Sequence, residues 1–87
     1  MNVEVKLFAS LRARMPDSTG RGTVELDDDA VLSDLLSKLG IPAEMSDLTL
    51  INGQHCPTEK EWRDKRKLVD GEVISVFPPL AGGSLLG

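Results

Sequence analysis

The residues best suited to chemistry lie in one run near the end of the chain, Phe77-Pro78-Pro79-Leu80-Ala81-Gly82-Gly83. The two prolines fix φ and cannot continue the interior of a helix or a sheet, whereas the two glycines remove side-chain bulk. A stiff segment followed by a thin tip is typical of a tail that enters the active site of another protein. Ser84-Leu85-Leu86-Gly87 follow this run, so the carbonyl of Gly83 lies in a peptide bond and not in a free carboxylate.

The carbonyl of Gly83 is the reacting group that this pattern predicts. A carboxylate is a poor electrophile, and ATP activates it, usually as an acyl-adenylate that sulfur or nitrogen then attacks. Gly82 would provide access, because a β-carbon beside the carbonyl would obstruct a narrow channel. The chain lacks a glycine-rich phosphate loop with a lysine. We therefore expect that this chain binds no cofactor and that a partner enzyme uses the ATP.

Size, charge and cysteine content narrow the classes of function. The chain has 87 residues and a formal net charge of -4, which allows one small domain but lacks the basic footprint of a general nucleic-acid binder. Cys56 is the single cysteine, which excludes an internal disulfide and fits a reducing compartment. The first residues lack the apolar run of a signal peptide, and no stretch approaches membrane-spanning length. These features predict a cytoplasmic protein that binds neither nucleic acid nor membrane.

Hydrophobic periodicity predicts one sheet and one main helix. Strands are expected at residues 2–7, 23–26, 48–51 and 72–77, with a short helical stretch at 9–15 that Pro16 stops. The main helix has one apolar stripe, formed by Val31, Leu32, Leu35, Leu36 and Leu39. One amphipathic helix has one sheet to cover, so the pattern predicts an α+β domain with the first and last strands adjacent in the centre. The domain would span 1–77, followed by a tail at 78–83 and an extension at 84–87.

Caps and turns are predicted between these elements. The aspartates of residues 27–29 stand where carboxylates cap the main helix, and that role accounts for them without a metal site. Gly40 stands where a C-terminal cap belongs, and Asn52-Gly53 and Asp70-Gly71 predict tight turns. Thr58-Glu59-Lys60-Glu61 resembles a capping box that opens a short helix carrying Trp62.

Three further features have a functional and a structural interpretation. Cys56 could act as a sulfur relay or a redox thiol, with His55 beside it. Neighbours on an extended segment point to opposite faces, however, and the structural interpretation is favoured. Trp62 could anchor a partner, and packing of its helix onto the sheet edge is the favoured alternative. The basic segment at residues 60–67, around Lys65, is expected to be a solvated helix face without an aromatic platform for nucleic acid.

Phe8 and Phe77 are candidate partner-binding residues together with Leu80. Strand parity places Phe8 on the face opposite Val3, Val5 and Leu7. Such side chains would form an apolar docking patch on an open sheet face. The alternative is that one or more of these rings closes the core, and parity leaves both open.

Several segments together carry a family resemblance: Leu7-Phe8-Ala9-Ser10-Leu11-Arg12, Ser33-Asp34-Leu35-Leu36, Ile51-Asn52-Gly53, Asp70-Gly71-Glu72 and the run from Phe77 to Gly83. The chain resembles the small ubiquitin-like sulfur carriers, above all the small subunit of molybdopterin synthase, over nearly the whole domain. The proline pair before Ala-Gly-Gly is the most specific feature and favours this branch over the thiamine-pathway carriers. The resemblance implies a ubiquitin-like β-grasp fold, with a mixed sheet of four to five strands and one main helix across one face.

The resemblance also implies a reaction sequence. An E1-like adenylating enzyme would activate Gly83 with ATP, and the carboxylate would become a thiocarboxylate. The tail would then enter the large subunit of molybdopterin synthase, in a heterotetramer, and its sulfur would build the dithiolene of a pterin that holds molybdenum or tungsten. The segment from Phe77 to Ala81 would dock, and the larger partner would supply the catalytic side chains.

The extension after Gly83 departs from the family pattern, in which Gly-Gly ends the chain. We hypothesise that a zinc metalloprotease cleaves the chain between Gly83 and Ser84, because the resemblance to carriers that are trimmed in this way implies it. The alternatives are a remnant of cloning, lost sulfur transfer, or direct use of Gly87, which the bulk of Leu85 and Leu86 disfavours. Other candidate functions are a protein modifier joined to lysines, a carrier for thiamine or another pathway, and a binding module without this chemistry.

Overall fold

The computed structural model describes residues 1–15 and 19–79 of the chain. Pro16, the predicted stop of the first helical stretch, and the tail from Leu80 onward lie outside these residues. The strands are β1 (Asn2–Leu7), β2 (Arg21–Glu25), β3 (Leu48–Ile51), β4 (Gln54–His55) and β5 (Val73–Phe77). The helices are α1 (Leu32–Lys38) and α2 (Lys60–Lys65), with short 3₁₀ helices at Ala9–Arg14 and Ala43–Met45.

The five strands form one mixed sheet in the order β2-β1-β5-β3-β4. The central strands β1 and β5 run parallel, whereas the other neighbouring pairs are antiparallel. A parallel pair requires a long crossover connection, and here nearly the whole chain between the two strands supplies it. The predicted central position of the first and last strands is confirmed, and the topology is that of the β-grasp fold.

The hydrophobic core lies between the sheet and α1. Along β1, buried residues alternate with less buried ones, as a strand covered on one face requires. Side chains from three elements are at most 1 % exposed and meet in this core: Val3 and Val5 from β1, Ile74 and Val76 from β5, and Leu32 and Leu35 from α1. One face of the sheet is therefore covered by the helix, and the opposite face remains available.

The start of α1 differs from the prediction. Val31 is the N-cap residue and has no side-chain acceptor, while the carboxylate of Asp34 accepts a hydrogen bond from the Val31 N–H at 2.9 Å. The aspartates of residues 27–29 are exposed, and Asp28 pairs with the N-terminal ammonium group at 3.1 Å. The prediction that they cap the helix is wrong, because two residues separate them from the first helical residue, Leu32.

The end of α1 confirms the prediction of a glycine cap. Gly40 has φ of +69°, and its N–H donates to the carbonyl of Ser37 at 3.0 Å. The N–H of Ile41 donates to the carbonyl of Leu36 at 2.9 Å. These two hydrogen bonds form a Schellman motif, and the buried Ile41 side chain joins the core.

The chain between β3 and β5 is organised by a turn and a short helix. Asn52 and Gly53 both have positive φ, 52° and 85°, as a type I′ hairpin turn requires. The two-residue strand β4 follows this turn and was not predicted as a separate strand. Helix α2 has Glu59 as its N-cap without a side-chain hydrogen bond. The predicted capping box with Thr58 is therefore wrong, because α2 begins one residue later than such a cap requires.

Candidate functional site

The sheet face opposite α1, called the open face, carries both phenylalanines. Phe8 follows β1 and Phe77 ends β5, and their strand neighbours Leu7 and Val76 are buried in the core. The two rings stack with centroids 4.1 Å apart and planes 4° from parallel. Leu48, the register partner of Phe77, is 43 % exposed, and Phe8 is 37 % exposed. Phe8, Phe77 and Leu48 form the aromatic patch, so Phe8 does not close the core.

The backbone around Phe8 directs the ring to the open face. The N–H of Phe8 donates to the carbonyl of Val76 at 3.2 Å and extends the pairing of β1 with β5. Ala9 then has φ of +53°, a left-handed conformation that costs a residue with a β-carbon roughly 1–2 kcal/mol. After this sharp turn, Leu11 in the 3₁₀ helix is 1 % exposed. The strained turn thus leaves Phe8 at the surface while the next segment returns to the core.

The root of the predicted tail lies beside the aromatic patch. Pro78 is half-buried and Pro79 is exposed, and both follow β5 directly. Their docking role stays a prediction. The other predicted site residues lie outside the described part of the chain, and their roles as docking, reacting and cleavage residues also stay predictions: Leu80, Ala81, Gly82, Gly83 and Ser84.

Cys56 is buried directly after β4 and lines a small cavity together with His55. Its side chain is 3 % exposed, and its N–H donates to the carbonyl of Thr49 at 2.8 Å. Burial raises the pKa of the thiol, although the charges of Arg63 and Arg66 oppose this effect. His55 is exposed. A buried neutral thiol is a poor nucleophile, so the geometry favours the structural interpretation.

Trp62 lies on α2 at the edge of the sheet. It lines a small cavity of about 150 Å³ together with Cys56 and Arg66, and it remains 36 % exposed. The predicted packing of α2 at the sheet edge is consistent with this position. Trp62 also lines an open groove with Pro57 and Lys65.

The basic segment on α2 is only partly a solvated face. Lys60 pairs with Asp64 at 2.6 Å and Lys65 pairs with Glu61 at 3.2 Å, both at the surface, and the hydrogen bonds to Asp64 lower the pKa of its carboxyl group. Arg63, however, is only 5 % exposed. The prediction is wrong for Arg63, because this residue lies on the inner side of α2.

Hydrogen bonds explain how the buried guanidinium of Arg63 is accommodated. Its Nε donates to the carbonyl of Pro57 at 2.8 Å, and its Nη1 donates to the hydroxyl of Ser46 at 2.9 Å. The side chain therefore joins α2 to the 3₁₀ helix Ala43–Met45. Sequence periodicity missed this role, since α2 has six residues and offers too little pattern to assign an inner face.

A second polar contact ties α2 to the start of β5. Arg66 pairs with the mostly buried carboxylate of Glu72 at 2.9 Å. The same carboxylate accepts the N–H of Val69 at 2.7 Å. These contacts hold the loop before β5 and touch neither the aromatic patch nor the tail root.

The part of the chain that the structure describes has neither a metal-binding cluster nor a membrane-spanning helix. Residues 1–15 and 19–79 contain no group of three or more His, Cys, Asp or Glu side chains that could hold a metal ion. Within the same ranges, no helix has the length and apolar character needed to cross a membrane.

Comparisons with known proteins agree with this architecture. Small archaeal modifier protein 3 from Haloferax volcanii is 31 % identical over 98 aligned positions, which cover 95 % of this chain and 100 % of that protein. A putative molybdopterin converting factor, subunit 1, from Pyrococcus furiosus has a TM-score of 0.68 at 26 % identity, covering 92 % of this chain and 99 % of that one. A chain in the complex of subunits 1 and 2 of molybdopterin-converting factor from Helicobacter pylori has a TM-score of 0.59 at 21 % identity, covering 92 % and 96 %.

A match to a protein-family model shows which family the chain belongs to. The model of the ThiS family matches residues 5–83, which include the second half of β1, the other four strands and both α-helices. The last matched residue is Gly83. The resemblance inferred from the sequence is confirmed at the level of the family: the chain belongs to the ThiS family of ubiquitin-like sulfur carriers and modifiers.

Proposed function

We propose that the chain is a sulfur carrier for molybdopterin biosynthesis, the route to the molybdenum or tungsten cofactor. After cleavage between Gly83 and Ser84, the carboxylate of Gly83 attacks ATP bound to an E1-like adenylating enzyme and releases pyrophosphate. A donor of sulfide-level sulfur then displaces AMP from the acyl-adenylate and forms the thiocarboxylate. The thiocarboxylate delivers its sulfur to a pterin precursor, and hydrolysis returns the Gly83 acyl group to a carboxylate. This chain supplies the reacting carbonyl, and the partner enzymes supply the catalytic side chains.

The family match up to Gly83 is the observation that carries this proposal. It ends at the second glycine of the pair Gly82-Gly83 and leaves Ser84 and the following residues outside. Activation of a chain end requires a free carboxylate, and two residues without β-carbons leave room around it. Trimming after Gly83 would therefore produce the terminus that this chemistry needs.

The open face supports docking at the root of the tail. The stacked, half-exposed rings of Phe8 and Phe77 lie next to Pro78, and aromatic side chains are enriched among interface residues that contribute most to binding. A partner that covers the aromatic patch would hold the tail at a constant distance from its active site. Pro78 and Pro79 lower the conformational entropy lost when the tail is held extended.

The large subunit of molybdopterin synthase is the partner that we propose for the final step. The structural relatives include a putative subunit 1 of molybdopterin converting factor and a chain in a complex of subunits 1 and 2. By analogy, this chain would pair with a protein of the subunit 2 type. The adenylating enzyme and a trimming zinc metalloprotease would act before that step.

A protein modifier is the second candidate function. The relative that is 31 % identical to this chain is named a small archaeal modifier protein. Both functions share the adenylate of Gly83. They diverge afterwards, because a modifier is attacked by the amine of a target lysine and forms an isopeptide bond, whereas a carrier is attacked by sulfur.

The intact mass of the protein purified from its own organism tests the proposal. We expect a species that ends at Gly83, with a fraction heavier by the mass difference between sulfur and oxygen. A homogeneous chain that ends at Gly87 would show that the carbonyl stays blocked, and the proposal would fail. Lysine residues of other proteins joined to Gly83, without any thiocarboxylate, would establish the modifier function instead.

A matched pair of variants locates the reacting residue. We expect Gly83→Val to abolish thiocarboxylate formation in the trimmed protein, because the added side chain obstructs the activating enzyme. Gly87→Val, introduced in the full chain before trimming, makes the same change beyond the cleavage position and should leave loading of the trimmed product unchanged. Full loading of the Gly83→Val variant would show that another residue reacts.

A further inference from the structure

A pair of basic side chains crosses the open face beside the aromatic patch. Lys6 on β1 is the register partner of Arg21 on β2. Lys6 and Phe8 are two positions apart, so they project from the same face of the sheet. Val24, on the alternate set of β2 positions, is buried, which places Arg21 on the open face as well.

The placement of these two cations is unfavourable for the isolated chain. Like charges directly opposite each other on neighbouring strands are destabilising. Among the residues that the structure describes, neither Lys6 nor Arg21 takes part in an ion pair. The chain as a whole carries a net charge of -4. The basic pair therefore has the opposite sign to the overall charge of the chain. Proteins depart from such local rules of stability mainly at functional sites. The unfavourable placement of two like charges therefore points to a function for this surface.

The basic pair borders a hollow of about 270 Å³, whose lining includes Lys6, Phe8, Arg12, Gly20 and Arg21. Gly20 has φ of +80°, and a β-carbon there would come within 2.4 Å of the Leu7 carbonyl oxygen and 2.8 Å of Arg12 Cγ. Glycine therefore allows the stem of Arg12 to pack close to β1. The hollow combines three cationic side chains with one aromatic ring, and guanidinium groups bind carboxylates with two parallel hydrogen bonds.

Charge is distributed unevenly along the open face. The basic pair lies at the end of β1 that adjoins Phe8 and the tail root. Towards the other end of the strand, Glu4 is paired with Thr23, and Glu25 is paired with Asn2. A binding surface complementary to this face would be acidic near the entry of the tail, and such complementarity fixes the orientation of a complex.

We infer that the open face docks a protein surface that carries carboxylates opposite Lys6 and Arg21 and an apolar hollow opposite the aromatic patch. The carboxylates orient the partner so that the tail root points towards its active site, while the aromatic patch provides most of the affinity. This inference rests on the proposed function, since it names the recognition chemistry of the large synthase subunit.

Binding of the chain trimmed at Gly83 to the large synthase subunit of the same organism tests the inference, with the full chain measured alongside. At low ionic strength, Lys6→Glu should raise the Kd about tenfold or more, because like charges would meet across the interface. The difference should shrink at high salt, which screens exposed charges. Lys38→Glu makes the same charge change on α1, away from the open face, and should leave the Kd within about twofold, in the range of a long-range field effect.

The stability of the variants separates binding from folding. Lys6→Glu should maintain or raise the midpoint of thermal unfolding, because a carboxylate would then face Arg21. Arg21→Glu is the second variant and should behave alike. If both variants lower the midpoint of thermal unfolding and weaken binding together, the role of Lys6 and Arg21 is structural and the inference is overturned.

Two other results are decisive. An unchanged Kd for Lys6→Glu, with wild-type binding intact, overturns the inference and leaves the proposed function standing. An equal loss of affinity in the Lys38→Glu variant also overturns the inference, because the change in net charge alone would then explain the effect. No binding of the wild-type chains to the large subunit would overturn both the inference and the proposed partner.

Discussion

The surroundings of Cys56 decide whether its thiol can react. A thiol acts as a nucleophile in its thiolate form, and reactive cysteines are accessible and have a lowered pKa. Cys56 is 3 % exposed, and burial raises its pKa above the ordinary value of 9.0. The nearby charges of Arg63 and Arg66 favour the thiolate, yet they do not overcome the cost of burying it.

This raised pKa leads to a pH-dependent contribution to stability. The folded chain retains the Cys56 proton to a higher pH than the unfolded chain, so the contribution is complete below the unfolded pKa and is lost as pH rises towards the folded pKa. We expect the stability advantage of wild type over Cys56→Ala to decrease between about pH 8 and about pH 10, around the unperturbed thiol pKa. Urea unfolding of both proteins at the two pH values measures this difference.

An advantage that stays constant with pH would mean that the thiol ionises equally in both states. Cys56→Ser serves as the functional control. We expect it to leave sulfur loading intact, because no step of the proposed reaction uses this thiol. A loss of loading with normal folding would restore Cys56 as a sulfur relay.

Arg63 shows how a charged residue can be structural. Its guanidinium donates to Pro57 and Ser46, while its Nη2 has no hydrogen-bond partner among the described residues. No described carboxylate forms an ion pair with it. A buried cation of this kind is costly, and the hydrogen bonds to Pro57, just before α2, and to Ser46, in the loop before β3, offset part of that cost.

Among the elements, the end of α1 depends most clearly on one residue. Gly40 adopts φ of +69°, and a β-carbon would lie 3.1 Å from Arg14 Nη1, which donates to the Gly40 carbonyl at 2.7 Å. We expect Gly40→Ala to lower the free energy of unfolding by about 1–2 kcal/mol, the cost of the left-handed conformation for a residue with a β-carbon. Chemical denaturation of the variant measures this change.

Gly40→Asn is the matched control for this effect, because asparagine tolerates the left-handed region better than alanine does. It should cost less than Gly40→Ala although its side chain is larger. If Gly40→Asn lowers the free energy of unfolding more than Gly40→Ala does, then contact with Arg14, and not backbone conformation, determines the loss of stability.

The two faces of the sheet have different roles in the molecule. The inner face packs against α1 to form the core, and the open face presents the aromatic patch and the basic pair beside the tail root. Alternation along β1 and β5 makes this division possible, since neighbouring residues project to opposite sides. Substitutions on the two faces should therefore affect different properties.

Phe8→Ala and Leu11→Ala test this division. Phe8→Ala should lower the free energy of unfolding by only about 0.5–1.5 kcal/mol, the value of an aromatic pair. It should also weaken binding to the proposed partner, the large synthase subunit, about tenfold or more, as loss of an interface aromatic does. Leu11→Ala should cost about 2–5 kcal/mol by opening a cavity in the core and should leave the affinity of the folded fraction unchanged. Calorimetry of binding and denaturant unfolding give both quantities. Equal affinity for Phe8→Ala and wild type would exclude the patch as a docking surface.

Local patterns in the chain were sufficient to predict much of the fold. The alternation in β1, the stripe of α1, the cap at Gly40 and the turn at Asn52-Gly53 each depend on residues close in sequence, and the structure confirms them. Family membership was likewise recognisable from short motifs, above all the run from Phe77 to Gly83. Such features need no knowledge of distant contacts.

Contacts between distant segments decided the rest. Parity placed Phe8 on one side of β1, but the pairing of β1 with β5 brought its ring to 4.1 Å from Phe77. The same applies to Lys6 and Arg21, which are ordinary surface charges until the register of two strands sets them opposite each other. Arg63 looked like part of a solvated run until α2 packed against the loop before β3. Burial and register are properties of the folded chain, because they depend on which segments pack together and not on the neighbours of a residue in sequence.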